Sequence, residues 1–222
     1  MHLPKDKRTA GIKVSLFLLK HFAGKNSIIF ALSRKFSQTV LVLAIPNPNR
    51  KNVQNESVIA YVSIGSNLGD RAGNLLLAVR ALLEANFEVL RLSAIYETEP
   101  VEVAENHGLF LNLVVELRVT NITPEQMMAR MIRIEYLLGR RDKNLKKPRT
   151  ADLDLLFYGS LQYHTAFLTL PHPRLHERRF VLVPLAELAP HFVHPAANQT
   201  IQELLEHTPD VSTVKRWNPS KI

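Results

Sequence analysis

From residue 58 onward, apolar spacing switches repeatedly between a two-residue and a 3.6-residue period, and that order of switches restricts the fold more than any other feature. Residues 58–64 (VIAYVSI) are rich in β-branched and aromatic side chains and predict a strand, closed by the turn residues Gly65-Ser66-Asn67. Asp70 predicts an N-cap for a helix over 72–86, where Leu75, Leu76, Val79, Leu82 and Leu83 fall at helical spacing. Residues 89–97 alternate Val89, Arg91, Ser93 and Ile95 with Leu90, Leu92, Ala94 and Tyr96, and read as one strand. A polar loop over 98–108 leads to a strand over 109–119. Thr123-Pro124-Glu125 opens a second helix that runs to about Leu138 and closes at Gly139. A basic loop at 140–147 precedes a strand over 151–158. Pro-rich loops and short helices near 181–188 and 200–207 follow. The order β-α-β-β-α-β predicts an α+β domain of the ferredoxin-like split plan, an antiparallel sheet with two helices on one face, plus a C-terminal extension. That plan hosts many activities, so function has to come from a site.

Charge locates the domain boundary. Of 28 Lys+Arg and 20 Asp+Glu, residues 1–57 hold ten of the former and only Asp6 and Glu56 of the latter. The whole excess of +8 therefore belongs to that stretch, and residues 58–222 balance. The stretch is rich in Ser, Arg and Lys, the composition of an organelle transit segment, and equally of a basic arm. Its apolar runs, 15–19 and 39–45, are too short to span a bilayer. Pro46, Pro48 and four Asn make 46–57 a linker. The expected division is a poorly ordered basic extension over 1–57 and a working domain over 58–222, cytoplasmic unless the extension directs it to an organelle. Cysteine is absent, which excludes disulfide scaffolds, Cys-ligated zinc and a thiol nucleophile.

Chemistry concentrates in a few clusters. Asp152-Leu153-Asp154 interrupts an apolar strand, and alternation puts Asp152, Asp154 and Leu156 on one side and Leu153, Leu155 and Phe157 on the other. Two carboxylates at that spacing repel unless a cation lies between them, and Mg²⁺ with a phosphate substrate is the usual case. The bland alternative is the polar face of an edge strand. Lys146-Lys147-Pro148-Arg149-Thr150 directly precedes the pair, with Arg140, Arg141 and Lys143 upstream. Carboxylates for a metal beside guanidinium forks are what polyphosphate binding needs. Residues 171–180 add Arg174, Arg178, Arg179, His172 and His176. The i,i+4 histidines do not read as zinc ligands, since Pro173 breaks the helix and no HExxH is present; His191 and His194 read as loop or partly buried side chains. No P-loop or GxGxxG occurs.

Six segments in order resemble the 6-hydroxymethyl-7,8-dihydropterin pyrophosphokinase family of folate biosynthesis: AYVSIGSNLGD at 60–70, YETEP at 96–100, FLN at 110–112, RIEYLLGR at 133–140, PRTADLDLL at 148–156 and PHPRLHERRFVLVPL at 171–185. The resemblance implies transfer of the terminal pyrophosphoryl group of ATP to the pterin hydroxymethyl oxygen, leaving AMP. It implies that Asp152 and Asp154 hold two Mg²⁺ ions and that Arg140, Arg149 and Arg178 serve catalysis. Glu135, Arg140, Arg149, Leu155, Thr169, His172 and Arg178 look like ATP contacts, and Gly65, Thr98, Val101, Phe110, Asn112 and Phe180 like the pterin pocket. The implied partners are these small molecules, with no specific nucleic acid or membrane, acting on a monomer. The chain departs from the family pattern at the basic loop, which has Arg140-Arg141-Asp142 and Lys146-Lys147 but no aromatic, at Glu99 where Pro is frequent, and at Phe110 where Tyr is common. A Mg²⁺ nuclease or phosphatase would need a third acidic ligand and a water-activating group, and neither stands out nearby. An RNA-binding module would need sheet-face aromatics, and the strand at 110–119 has only Phe110.

Overall fold

The computed structural model describes residues 57–100, 108–140 and 148–219, all of which fall in one unit, Gln54–Ile222. The sites expected at Val101, Arg141, Lys143, Lys146 and Lys147, and the basic extension, lie outside the described residues.

β1 (Ser57–Ser66) enters α1 (Arg71–Glu84), then β2 (Glu88–Leu92) and β3 (Tyr96–Thr98). β4 (Phe110–Thr120) leads through α2 (Pro124–Leu137) to β5 (Asp152–Tyr158). The main sheet runs β5-β1-β4-β3-β8, where β8 is Val214–Arg216, with β2 also on β4, and its pairings are antiparallel. The helix ends follow local chemistry. Asp70 Oδ1 accepts from Gly73 N at 2.9 Å, and Thr123 and Gln126 form a reciprocal capping box on α2. Gly139, at φ +99°, closes α2 in the left-handed region, where a side chain would be strained.

The single strand expected over 89–97 is two strands. Ser93 leaves the ladder: its hydroxyl accepts from Val114 N at 2.9 Å, and the next amide, Ala94 N, donates to Glu187 Oε2 at 3.0 Å. A bulge within β2 also sets Val89 opposite Leu117 and Arg91 opposite Glu116, so the expected alternation does not hold there.

Two apolar layers flank the sheet. On one side Ala60, Val62 and Ile64 of β1 and alternate residues of β4 pack against Leu75, Ala78 and Leu82 of α1 and Met127, Met131 and Ile134 of α2. On the other, Tyr61, Val114 and Leu156 pack against α3 (Arg179–Leu188) and α4 (Ile201–His207). Helices therefore cover both faces, which corrects the expectation of a one-sided arrangement. The C-terminal extension supplies the second layer, since Tyr61, Val114 and Leu156 would otherwise be left to water.

Phe157 is a second correction. β1 pairs Tyr61 with Phe157 but Val62 with Leu155, so Leu156 is an extra residue in β5. The bulge turns Phe157 to the α3 side, where its ring meets Tyr61 edge-on at 6.4 Å between centroids. Leu153 and Leu155 stay in the α1–α2 core. Asp152 and Asp154 thus share the α3 side of the sheet, as the alternation predicts upstream of the bulge. Three small elements carry no strong sequence signal: the hairpin β6 (Tyr163–His164) and β7 (Thr169–Leu170), the 3₁₀ turn Leu175–Glu177, and β8 (Val214–Arg216). Among the described residues, no helix is long and apolar enough to cross a membrane.

Candidate active site

Gly65 joins two groups of polar side chains. In register it stands between Asn112 of β4 and Asp152 of β5, all on the α3 side of the sheet. A Cβ at Gly65 would sit 2.6 Å from Asn112 Oδ1, so glycine is what lets the amide lie across β1. Asn112 Nδ2 donates to Thr98 Oγ1 at 2.7 Å, and both residues are almost fully buried. Phe110 borders them, with the Arg149 guanidinium 5.4 Å above its ring centre. Asn112, Thr98, Phe110 and Gly65 therefore form one amide-and-aromatic wall.

The second group is ionic. Arg140 leaves the end of α2 and turns back. Its Nη1 donates to Glu135 Oε1 at 2.8 Å and also contacts Asp152 Oδ1. Glu135 Oε1 accepts from Leu153 N at 2.8 Å as well, which ties the last turn of α2 to β5. Arg149 Nη2 reaches Asp152 Oδ2 at 2.9 Å, and Arg178 Nη1 lies 3.8 Å from Asp154 Oδ2. Among the described residues, three carboxylates thus face three guanidinium groups. Arg140 and Glu135 are nearly inaccessible, whereas Arg149, Asp154 and Arg178 stay partly open to solvent. A polyanion can draw those open arginines away from carboxylate without first desolvating them, and Arg matches phosphate oxygens in the same bidentate way.

Beyond β5, His172 N donates to Leu156 O at 2.9 Å, so that histidine flanks the carboxylate strand. Thr169 lies in β7 with its hydroxyl 3.0 Å from His164 Nδ1. Phe180 lies in the first turn of α3 with the Arg178 guanidinium 5.7 Å from its ring centre. Leu155 stands apart: its side chain is 2% exposed, in the core opposite the aspartates. Among the described residues, no group of three or more His, Cys, Asp or Glu is arranged to hold a metal. The donor set on offer is two carboxylates on one strand face, which suits an ion that keeps waters and takes phosphate oxygens.

Asn67 is a residue the sequence offers only as part of a turn. It is 8% exposed, donates its backbone N–H to Arg149 O at 3.1 Å and accepts from Arg149 N through Oδ1 at 2.8 Å. The first loop is thereby clamped to the peptide that carries Arg149, 82 residues away. Asn67 Nδ2 and Arg149 Nε, both buried, have no hydrogen-bond partner among the described residues. Two buried donors beside an Asp-Arg cluster call for an acceptor, which water, an ion or a ligand can supply. Arg71 likewise carries no local sequence signal of a role. It donates to Leu109 O at 2.8 Å and pairs with Glu97 at 2.9 Å, bracing the two strand ends that carry Thr98 and Phe110.

Similarity to known proteins agrees with this chemistry. The model of the 7,8-dihydro-6-hydroxymethylpterin-pyrophosphokinase family matches residues 61–190. The 2-amino-4-hydroxy-6-hydroxymethyldihydropteridine pyrophosphokinase of Bacillus subtilis is 44% identical over 131 residues, which is 59% of this chain and 77% of that one. The enzyme of that name from Synechocystis is 40% identical, over 66% of this chain and 74% of its own. The Arabidopsis thaliana folate synthesis bifunctional protein, named mitochondrial, is 40% identical over 61% of this chain, which spans only 24% of that longer protein. Among solved structures, a Plasmodium falciparum HPPK-DHPS superposes with a TM-score of 0.56 at 17% identity, over 70% of this chain and 46% of its own. The chain belongs to the 7,8-dihydro-6-hydroxymethylpterin-pyrophosphokinase family.

Proposed function

We propose that the α3 side of the sheet is where this enzyme transfers pyrophosphate from ATP to 6-hydroxymethyl-7,8-dihydropterin, with Asp152 and Asp154 holding two Mg²⁺ ions. The observation that carries this reading is the position of Gly65, in register with Asn112 on one side and Asp152 on the other. It sets a wall suited to a flat heterocycle directly beside a wall suited to a polyphosphate.

In the reaction the hydroxymethyl oxygen bonds to the β-phosphorus of ATP. The bond from that phosphorus to the oxygen shared with the α-phosphorus breaks, AMP keeps the electron pair, and the hydroxyl proton passes to solvent. Mg²⁺ bound at the carboxylates supplies charge neutralisation of the triphosphate. Asn112 and Thr98 read the polar edge of the pterin, and Phe110 and Phe180 offer it aromatic faces. Arg149 and Arg178 exchange carboxylate partners for phosphate oxygens, Arg140 adds its charge from where Glu135 holds it, and His172 and Thr169 lie on the nucleotide side. Glu135 supports the site by holding Arg140 and the Leu153 amide. Asn67 belongs to the pocket through its orphan amide N–H. Leu155 enters through its backbone alone, since its side chain is in the core. Rate enhancement then comes mainly from in-line positioning and fixed charge.

The strand order is in keeping with a ferredoxin-like core over about residues 58–158, and we read the working unit as a monomer in the cytoplasm. The name of the Arabidopsis relative supports the alternative of an organelle, which a fusion of residues 1–57 to a fluorescent protein tests. The test of the activity is AMP release from ATP and Mg²⁺ with and without the pterin. Pterin-dependent AMP is expected; AMP formed at the same rate without pterin would refute the transfer.

A further inference from the structure

The family match ends at residue 190, yet the segment at 208–217 touches both sides of the proposed pterin pocket. β8 pairs with β3, setting Val214 against Thr98 and Arg216 against Tyr96. Trp217 N continues that line by donating to Ile95 O at 2.8 Å. Four residues before β8, Asp210 turns to α3. Its Oδ2 accepts from Arg179 N at 2.7 Å, while Oδ1 accepts from Ser212 N at 2.8 Å.

The first of these bonds matters because of where α3 begins. Arg178 is the N-cap residue, and its side chain makes no capping hydrogen bond. The N–H of Arg179, the first helical residue, can have no partner inside the helix. Asp210 supplies the acceptor from 31 residues away, with a negative charge at the positive end of the helix. On either side of the capped amide stand Arg178, which faces Asp154, and Phe180, whose ring lies under the Arg178 guanidinium. The far end of α3 is tied to β3 as well, because Glu187 accepts from Tyr96 Oη at 2.9 Å and from Ala94 N at 3.0 Å. Helix, strand and C-terminal strap therefore close a triangle, with Thr98 on one side and Arg178 and Phe180 at a corner.

We propose that Asp210 is a positioning residue for pyrophosphoryl transfer, capping α3 from the C-terminal strap so that Arg178 and Phe180 are held against the carboxylate strand. This rests on the reading of Arg178 and Phe180 as site residues. Asp210 itself touches neither substrate in this account. Its carboxylate is pushed up by burial but pulled below the ordinary aspartate range by the hydrogen bonds of Ser212 and Arg179 N–H and by the Arg179 charge, so it is ionised at neutral pH.

The experiment uses the full 222-residue chain and the variants D210A, D210N, R178A and both double variants, D210A/R178A and D210N/R178A. Steady-state kinetics in pterin and in ATP are measured at a temperature where circular dichroism shows each protein folded. D210A is expected to lower kcat/KM about tenfold, the scale of losing a helix cap. D210N keeps one acceptor and should recover to within about threefold of the parent. In the R178A background the same change should cost clearly less than in the parent, because of the two residues it positions only Phe180 remains. If D210A does not fold, D210N carries the comparison, and its loss should likewise shrink beside R178A. A D210 effect of equal size in both backgrounds would overturn the proposal, and so would D210 variants with unaltered kinetics beside an impaired R178A. Unaltered kinetics in R178A would instead sink the assignment of Arg178, and this proposal with it.

Discussion

Replacing Gly65 with Ala tests the site where its two halves meet. The added methyl would lie 2.6 Å from Asn112 Oδ1 and 3.8 Å from Phe110 Cδ1. Ordinary contact begins near 3.4 Å, so the amide has to retreat by about 0.8 Å while the phenyl ring need not move. Asn112 is buried and spends its N–H on Thr98 at 2.7 Å, and a retreat of that size opens the bond beyond useful length. Unmaking a buried hydrogen bond costs about 1–3 kcal/mol, or roughly 5- to 150-fold in an affinity. Stability should fall as well, since the bond lies within the folded chain. Gly65 lies in a strand with no positive φ, so alanine gains about 0.4–1 kcal/mol from the unfolded chain, which offsets part of the strain. The expected result of G65A is therefore a pterin KM raised at least about fivefold and a melting temperature lowered by a few degrees, with ATP KM nearly unchanged. AMP release against pterin and ATP concentration measures the two KM values, and circular dichroism the melting temperature. The same substitution beside N112A should cost almost nothing more. A pterin KM within twofold of the parent, or an undiminished effect beside N112A, would refute the reasoning.

D152A and D154A should each abolish turnover, and a chelator should do the same to the parent until Mg²⁺ is restored; retained activity in either variant would remove the carboxylate pair from the mechanism. Acid should destabilise the protein through His194. This ring is buried, which pushes its pKa down, aided by the charge of His176, and its Nδ1 accepts from Ala196 N and Ala197 N. Because the folded value is depressed, the contribution is complete above the unfolded pKa of about 6.5 and is lost as pH falls through the folded value, at up to about 1.4 kcal/mol per pH unit. H194N, which can accept the same bonds and does not titrate, should flatten melting temperature against pH between 6.5 and 5; an unchanged slope would assign the acid sensitivity elsewhere. A chain of residues 54–222 should keep kcat within about twofold and melting temperature within a few degrees of the full chain, and a larger loss in either would show that the basic extension contributes to the working unit.

What could be read from the sequence divides along physical lines. Helix starts were legible because caps are local: Asp70 with Gly73 and Thr123 with Gln126 act three residues apart. The carboxylate pair was legible because strand alternation is local too. The bulge at Leu156 was not, since an inserted residue leaves the apolar pattern of LLF intact and is fixed only by the partner strand β1. The break at Ser93 depends on Glu187 of α3, and the clamp of Asn67 on Arg149 spans 82 residues, so neither has a local signature. The placement of the two C-terminal helices on the second sheet face was hidden for a related reason. An apolar residue such as Val114 reads as core whichever layer it faces.

The extra residue in β5 also separates two kinds of change. Upstream of it, Asp152, Leu153, Asp154 and Leu155 keep strict phase with the stretch of β1 that ends at Gly65; downstream, Phe157 and Tyr158 keep phase with Tyr61 and Ala60. The bulge is a joint between two independently phased half-strands. Substitutions that refit the aromatic cluster around Phe157 need not rotate the carboxylates, and the ligand half can be altered without reopening that cluster. Deleting the joint residue would remove this independence, forcing one half to turn over: either the aspartates go into the α1–α2 core, or Phe157 and Tyr158 exchange layers.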